Sequence, residues 1–176
     1  MRHLVLTGAP GAGKTALLEA AAASGMATSP EVARALLQQP GGMALRENDP
    51  LGFALTMLEG HLAEYRRFAD HPGPVLFDRG FPDVVGFLEM ANLPIPEAVE
   101  SACRTLRYDG PIFRAPAWPA IYRQDAERIQ DFAEAVASDR AVSAAWRRYG
   151  YSVVDLPLAS VADRLAFIAA RARPVT

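Results

Sequence analysis

The sequence predicts an α/β fold in which a parallel sheet is covered by helices. Two observations carry that expectation. Short apolar runs alternate with longer helical stretches along the chain, and the first run passes through a glycine-rich turn directly into a helix.

The first run, Leu4–Leu6, is brief and apolar, as a strand buried on both faces should be. Lys14 to Ala23 is rich in alanine and leucine and predicts a helix that stops near Ser24-Gly25. Met26–Ser29 reads as a second short strand, and Pro30 as the first turn of a helix reaching about Gln38. The paired glycines within Pro40–Glu47 predict a mobile connection.

Asp49-Pro50 is a helix start, a capping side chain followed by a residue with φ already helical. Leu51, Leu55, Leu58, Leu62, Tyr65 and Ala69 then recur at steps of four and three, the apolar face of a long amphipathic helix. Pro72-Gly73-Pro74 ends it, and Val75-Leu76-Phe77 is the next strand, closing on Asp78-Arg79-Gly80. Helices over Pro82–Met90 and Pro96–Leu106 follow, then a strand within Tyr108–Phe113 and a loop over Ala115–Pro119. A charged helical region from about Asp125 to Tyr149, a strand at Tyr151–Leu156 and a helix to about Ala172 complete the chain. Ser160 and Asp163 resemble a capping box for that last helix.

No repeat, low-complexity tract or linker divides the 176 residues, so residues 1–176 read as one domain. A net charge of −2 argues against a broad nucleic-acid footprint. The single Cys103 excludes an internal disulfide framework. His3, His61 and His71 share no metal-ligand spacing. The start MRHLVLTG lacks the apolar length of a secretory signal, and no segment reaches the ~18 apolar residues of a membrane span. The expected location is the cytoplasm, with no membrane partner.

Gly8-Ala9-Pro10-Gly11-Ala12-Gly13-Lys14-Thr15 matches the phosphate-binding pattern G-x-x-x-x-G-K-T, with Ala16 continuing into the helix. In such a P-loop, successive backbone N–H groups wrap nucleotide phosphates while the helix presents its positive end. Lys14 would neutralise phosphate oxygens and the Thr15 hydroxyl would ligate Mg²⁺. Asp78, an acid at the carboxyl end of a buried strand, suits a metal-holding role, with capping of the next helix or pairing with Arg79 as the weaker alternatives.

Arg123 and Arg128 could clamp a transferring phosphate. They could also form surface pairs with Asp125, Glu127 or Asp131. Glu31 could accept the proton of an acceptor hydroxyl, and Arg34 could hold an anionic group of that acceptor. Glu31 at a helix start would also favour the helix dipole.

The run from GAPGAGKT through SPEVAR, FDRGFPDVVGFLE and YDGPIFRAPAWPAIYRQDAERIQDF to GYSVVDLPLASVADR resembles the small bacterial AAA-domain predicted ATPases. These are related to the nicotinamide riboside kinase domain and to nucleoside and nucleotide kinases. The resemblance implies a three-layer P-loop NTPase fold with a five-stranded sheet of kinase type. It implies ATP with Mg²⁺, and a lid-like segment at about 115–130 bearing Arg123 and Arg128. It also places Asp78-Arg79 by the metal and phosphates, and Glu31 towards the acceptor.

The expected activity is a kinase moving the ATP γ-phosphoryl to an unidentified small-molecule acceptor. A nucleotide switch or ATPase acting through a protein partner is the second reading, and a module that binds without turnover the third. The absence of an N-K-x-D stretch disfavours a GTP switch, and intact Lys14, Thr15 and Asp78 disfavour the third reading.

Overall fold

The structure, a computed structural model, describes residues 2–122 and 131–172. Five strands form one all-parallel sheet: β1 (Arg2–Gly8), β2 (Ala27–Thr28), β3 (Pro74–Asp78), β4 (Ile112–Ala115) and β5 (Val153–Asp155), in the spatial order β2-β3-β1-β4-β5. The helices among the described residues are α1 (Lys14–Ala23), α2 (Val32–Leu37), α3 (Gly42–Asn48), α4 (Pro50–Arg67), α5 (Phe81–Met90), α6 (Glu97–Thr105), α7 (Phe132–Arg148) and α8 (Val161–Ala172).

Strand periodicity sorts the apolar residues into two cores. Val5, Val75, Phe77 and Ile112 point to one face, where Phe53, Val84, Leu88 and Trp146 meet them. Leu4, Leu6, Leu76 and Phe113 point to the other, against Leu17 and Ile168. The result is three layers, helix on sheet on helix. The chain leaves β1 towards β3 on one side and returns to β4 on the other, so a crevice opens at the carboxyl end of β1.

Three local expectations need correction. Pro40–Glu47 is not a mobile connection. Gly41 takes a left-handed φ of 81°, which glycine adopts freely, and the good helix formers after it wind into α3. The strand expected within Tyr108–Phe113 begins only at Ile112, because Pro111 has no N–H to place in the ladder. Its carbonyl accepts from Val5 N–H instead, and Tyr108 turns its ring into the core between Phe77, Phe81 and Trp146. The most buried face of α4 is Phe53, Ala54, Met57, Leu58 and His61, about a quarter-turn from the expected stripe. Leu51, Leu55, Leu62 and Tyr65 flank it half-buried, since α4 is covered from two sides.

Arg114 on β4 joins the sheet to α7. Its Nε and Nη2 donate to the two Asp139 carboxylate oxygens at 2.8 and 2.7 Å, and Nη1 reaches Asp155 on β5 at 3.0 Å. Asp139, 1% exposed, also accepts from the Ala117 N–H at 3.2 Å, which fixes the chain as it leaves the sheet. Asp131 and Glu134 cap the start of α7 reciprocally.

Asp139→Ala strands a partly buried guanidinium and the Ala117 N–H. It is expected to cost about 2–4 kcal/mol, read by urea unfolding at constant m-value; a loss under about 0.5 kcal/mol would contradict this pairing. His61 is 4% exposed, and burial lowers its pKa to about 4, with Asp83 opposing and Arg79 assisting. The unfolded chain takes up this proton near pH 6.5, so stability present above that pH is lost as the pH falls towards 4, by about 3 kcal/mol. His61→Gln should remove this acid slope from the stability profile, and a slope unchanged by the substitution would exclude it.

Candidate functional site

The turn between β1 and α1 forms a cradle at the crevice. Gly8, at φ 114°, runs so close to β4 that a Cβ there would lie 2.2 Å from the Ala115 carbonyl oxygen. Only glycine fits, and the close pairing with β4 bends the chain back into the loop. Gly13 precedes α1 without any side-chain cap, so the first amides of the helix at Lys14, Thr15 and Ala16 face the loop opening. Ala9 and Ala12 are buried, Pro10 is half-buried, and Thr15 is exposed at the rim. Lys14 folds back across the loop and donates to the Ala9 carbonyl at 2.6 Å. Burial and the nearby Arg79 lower its pKa to about 8. A phosphate in the cradle would reverse that effect.

Asp78 ends β3 beside β1, paired in register with Leu6. Its backbone N–H donates to Ser29 Oγ at 3.0 Å, which ties β2 to this corner. Its side chain is buried, and Oδ1 has no hydrogen-bond partner among the described residues. Burial and the Glu31 carboxylate raise its pKa to about 7, against the pull of Lys14 and Arg79. The alternatives in which Asp78 caps the next helix or pairs with Arg79 are not what the geometry shows, because Asp83 takes both tasks.

Asp83 on α5 is the centre of the site. Oδ1 accepts from the Thr7 hydroxyl and from Arg79 Nη1 at 3.0 Å. Oδ2 accepts from the Gly80 N–H at 3.0 Å and from the Trp146 indole N–H at 2.9 Å. Arg79, in a left-handed backbone conformation, also donates to the Gly8 carbonyl at 3.3 Å and approaches Glu31 at 3.6 Å. Burial works against its charge, but Asp83, Glu31 and Asp78 together outweigh that and raise its pKa. One guanidinium thus ties the cradle to Glu31. Glu31 is the N-cap residue of α2, and its side chain makes no capping bond to the helix start.

Two openings adjoin this cluster. A groove along α1 and α2 is edged by Thr15, Ser29, Glu31, Arg34 and Asp78. On the other side of Glu31 lies a cavity of about 330 Å³ that reaches Pro10 of the cradle. Phe53, Met57, Val84 and Phe87 form its apolar walls, with Arg34, Arg46 and Arg79 among its polar members. His61 also lines it, with no hydrogen bond from its ring to any described residue.

The sequence-selected Gly8–Ala16, Glu31, Arg34, Asp78 and Arg79 therefore gather in one place. Arg123 and Arg128 lie outside the described residues. The ends of their segment are placed: a Cβ on Gly11 would lie 2.6 Å from the Tyr122 ring, and that ring packs edge-on against Phe132 at 5.4 Å.

Sequence reasoning did not single out Asp83, Arg46, His61 or Arg164. Arg164 on α8 is 2% exposed and donates from Nη1 to the Ala12 carbonyl at 3.0 Å, bracing the back of the cradle. Only Asp83 carried a local signal, an acid three residues beyond Gly80 at the start of a helix.

No group of three or more His, Cys, Asp or Glu side chains among the described residues could hold a metal alone. The unpartnered oxygen of Asp78 and the exposed Thr15 hydroxyl at the same rim do fit a magnesium ion that shares its coordination with phosphate and water.

Several solved structures share the fold. Deoxyadenosine kinase from M. mycoides, with bound dATP, superposes with a TM-score of 0.69 at 11% identity, covering 96% of this chain and 97% of that one. NadR, solved in complex with NR, gives 0.68 at 17% identity over 97% of this chain and 49% of that one. Thymidylate kinase from Candida albicans gives 0.66 at 10% identity, with 96% and 89% covered. The sheet and helices are thus those of a kinase-type P-loop fold. No curated protein sequence matches the chain. The sequence model described as "AAA domain" matches residues 3–164, and the chain belongs to that family.

Proposed function

We propose that the protein is an ATP- and magnesium-dependent kinase that phosphorylates a small molecule held in the apolar cavity. The observation that carries this reading is the cavity itself: a half-open space of about 330 Å³ adjoining the phosphate cradle, with Glu31 and Arg79 where the two meet. A nucleotide switch needs no second small-molecule cavity next to its phosphates. The nucleoside and nucleotide kinases that share the fold support the same class.

The proposed chemistry gives each sequence-selected residue a role. Backbone amides of the cradle and Lys14 hold the β- and γ-phosphates. Thr15 and Asp78 would hold magnesium, which when bound offsets the charge on the phosphate oxygens. The acceptor lies in the cavity with its nucleophilic oxygen at the Glu31 end, and Arg34 holds an anionic group of that acceptor. That oxygen forms a bond to the γ-phosphorus while the bond to the bridging oxygen breaks. ADP leaves with the bridging electron pair, and an acceptor hydroxyl gives its proton to the Glu31 carboxylate. Arg79 keeps Glu31 in position from the cradle side. Arg123 and Arg128, from the segment bounded by Tyr122 and Asp131, would close over the transferring group and exclude water.

Two substitutions test the phosphate and metal roles. Lys14→Ala should abolish the rise in melting temperature caused by Mg-ATP, and a preserved shift would refute the cradle. Asp78→Asn should keep ATP binding while lowering magnesium-dependent turnover by about 10²-fold; equal loss of both would assign Asp78 a structural role instead. The kinase reading itself is tested by ADP production with and without a panel of nucleosides, nucleoside monophosphates and phosphorylatable vitamins. At least one member should raise turnover at least tenfold and be recovered with added phosphate. A basal rate that no member raises would favour the switch.

A further inference from the structure

The acceptor cavity is lined by a buried polar ring that forms no hydrogen bond with any described residue. His61 projects from the most buried face of α4, next to Phe81, whose ring centroid lies 6.5 Å away in an edge-on arrangement. Phe53, Met57 and Phe87 form the apolar wall on the same side, with Phe53 and Phe87 5.6 Å apart. The imidazole is 96% buried yet belongs to the cavity lining, and it forms no hydrogen bond with any described residue.

A polar group in this position is unfavourable unless something in the cavity pairs with it. Burial keeps the ring neutral, so it offers one N–H donor and one nitrogen acceptor. A neutral ring in an apolar slot discriminates against a charged partner and matches a flat group with an uncharged donor–acceptor edge. Of the charged members of the lining, Asp83, Arg79 and Glu31 are near enough to act on the ring, but Asp83 is engaged by four protein donors and Arg79 by Asp83, Glu31 and the Gly8 carbonyl; Arg34 and Arg46 come from α2 and α3.

Resting on the kinase reading for the identity of the cavity, we propose that His61 determines acceptor specificity by pairing with the uncharged hydrogen-bonding edge of a heterocycle. The acceptor is then amphiphilic in a defined sense. Its flat ring lies among Phe53, Met57 and Phe87 against His61, and its phosphorylated end reaches Glu31 and the arginines. A nucleobase joined to a sugar, with or without one phosphate, has this layout. Aliphatic polyols and simple carboxylates do not. His61 is a positioning residue here, not one that touches the transferred phosphoryl group.

The test uses the full-length protein and eight probes: the four common deoxynucleosides and their 5′-monophosphates. Binding is followed by the NMR signal of the His61 Cε1 proton, assigned through His61→Gln, and by calorimetry. At least one probe should shift that signal. His61→Leu should weaken its binding about 10–100-fold, while the melting shift caused by Mg-ATP stays as in the wild type. His61→Gln, which keeps a neutral donor and acceptor, should stay within about tenfold and change the ranking of the bases. If His61→Leu fails to fold, His61→Asn, too short to span the same gap, serves in its place. A probe that binds the His61→Leu protein as tightly as wild type, or eight probes that leave the His61 signal unmoved, would overturn the proposal. A probe that binds through His61 but is never phosphorylated would sink the kinase reading and leave the role of His61 standing. Phosphorylation that is indifferent to His61→Leu would do the reverse.

Discussion

The site depends on one buried carboxylate. Asp83 receives four donors from three places: Thr7 at the end of β1, the adjacent Arg79 side chain and Gly80 backbone, and Trp146 on α7. Two carboxylate oxygens with two partners each leave the charge well satisfied, so burial is tolerated. The consequence is geometric. The central strand, the start of α5 and the last turn of α7 are pinned to a common point, and Arg79 is held against the Gly8 carbonyl with its far side towards Glu31. Cradle and cavity are therefore positioned by the same group.

The neighbouring charges are balanced differently. Lys14 and Asp78 both sit in low-dielectric surroundings that disfavour their ionised forms, and one Asp78 oxygen lacks a partner. Such groups lower the stability of the empty fold. They would become favourable with a phosphate and a cation in the same space, as proposed for this site. Asp83 and Asp78 end up five residues apart with opposite characters: one fully engaged with the protein, the other open to something outside it.

Much of this was legible in the sequence, and the reasons for the exceptions are specific. The cradle was readable because its chemistry is local: glycine, lysine and threonine at fixed spacing between an apolar run and a helix. The strands were readable where apolar runs were continuous. The helix α3 was hidden by Gly41-Gly42, which read as a break although the first glycine only starts the helix. β4 was misplaced because Gly110-Pro111 and the charged Arg114 mask its pattern; Arg114 belongs there through Asp139 and Asp155, 25 and 41 residues away. The partners of Asp83 span 76 residues on one side and 63 on the other. No local pattern encodes such pairings. His61 was similarly opaque: its burial follows from which side of α4 faces the sheet, and the leucine periodicity placed that face a quarter-turn away.

Contacts hold the described residues on both sides of the β4–α7 connection. Asp139 holds the Ala117 N–H at the exit from the sheet, while the Tyr122 and Phe132 rings pack together next to Gly11 of the cradle. Trp146, on the same helix α7, donates to Asp83. Any displacement of α7 would thus be felt both at the Tyr122–Phe132 contact beside Gly11 and at the carboxylate that positions Arg79, so the two sides of the site are mechanically joined through a single helix.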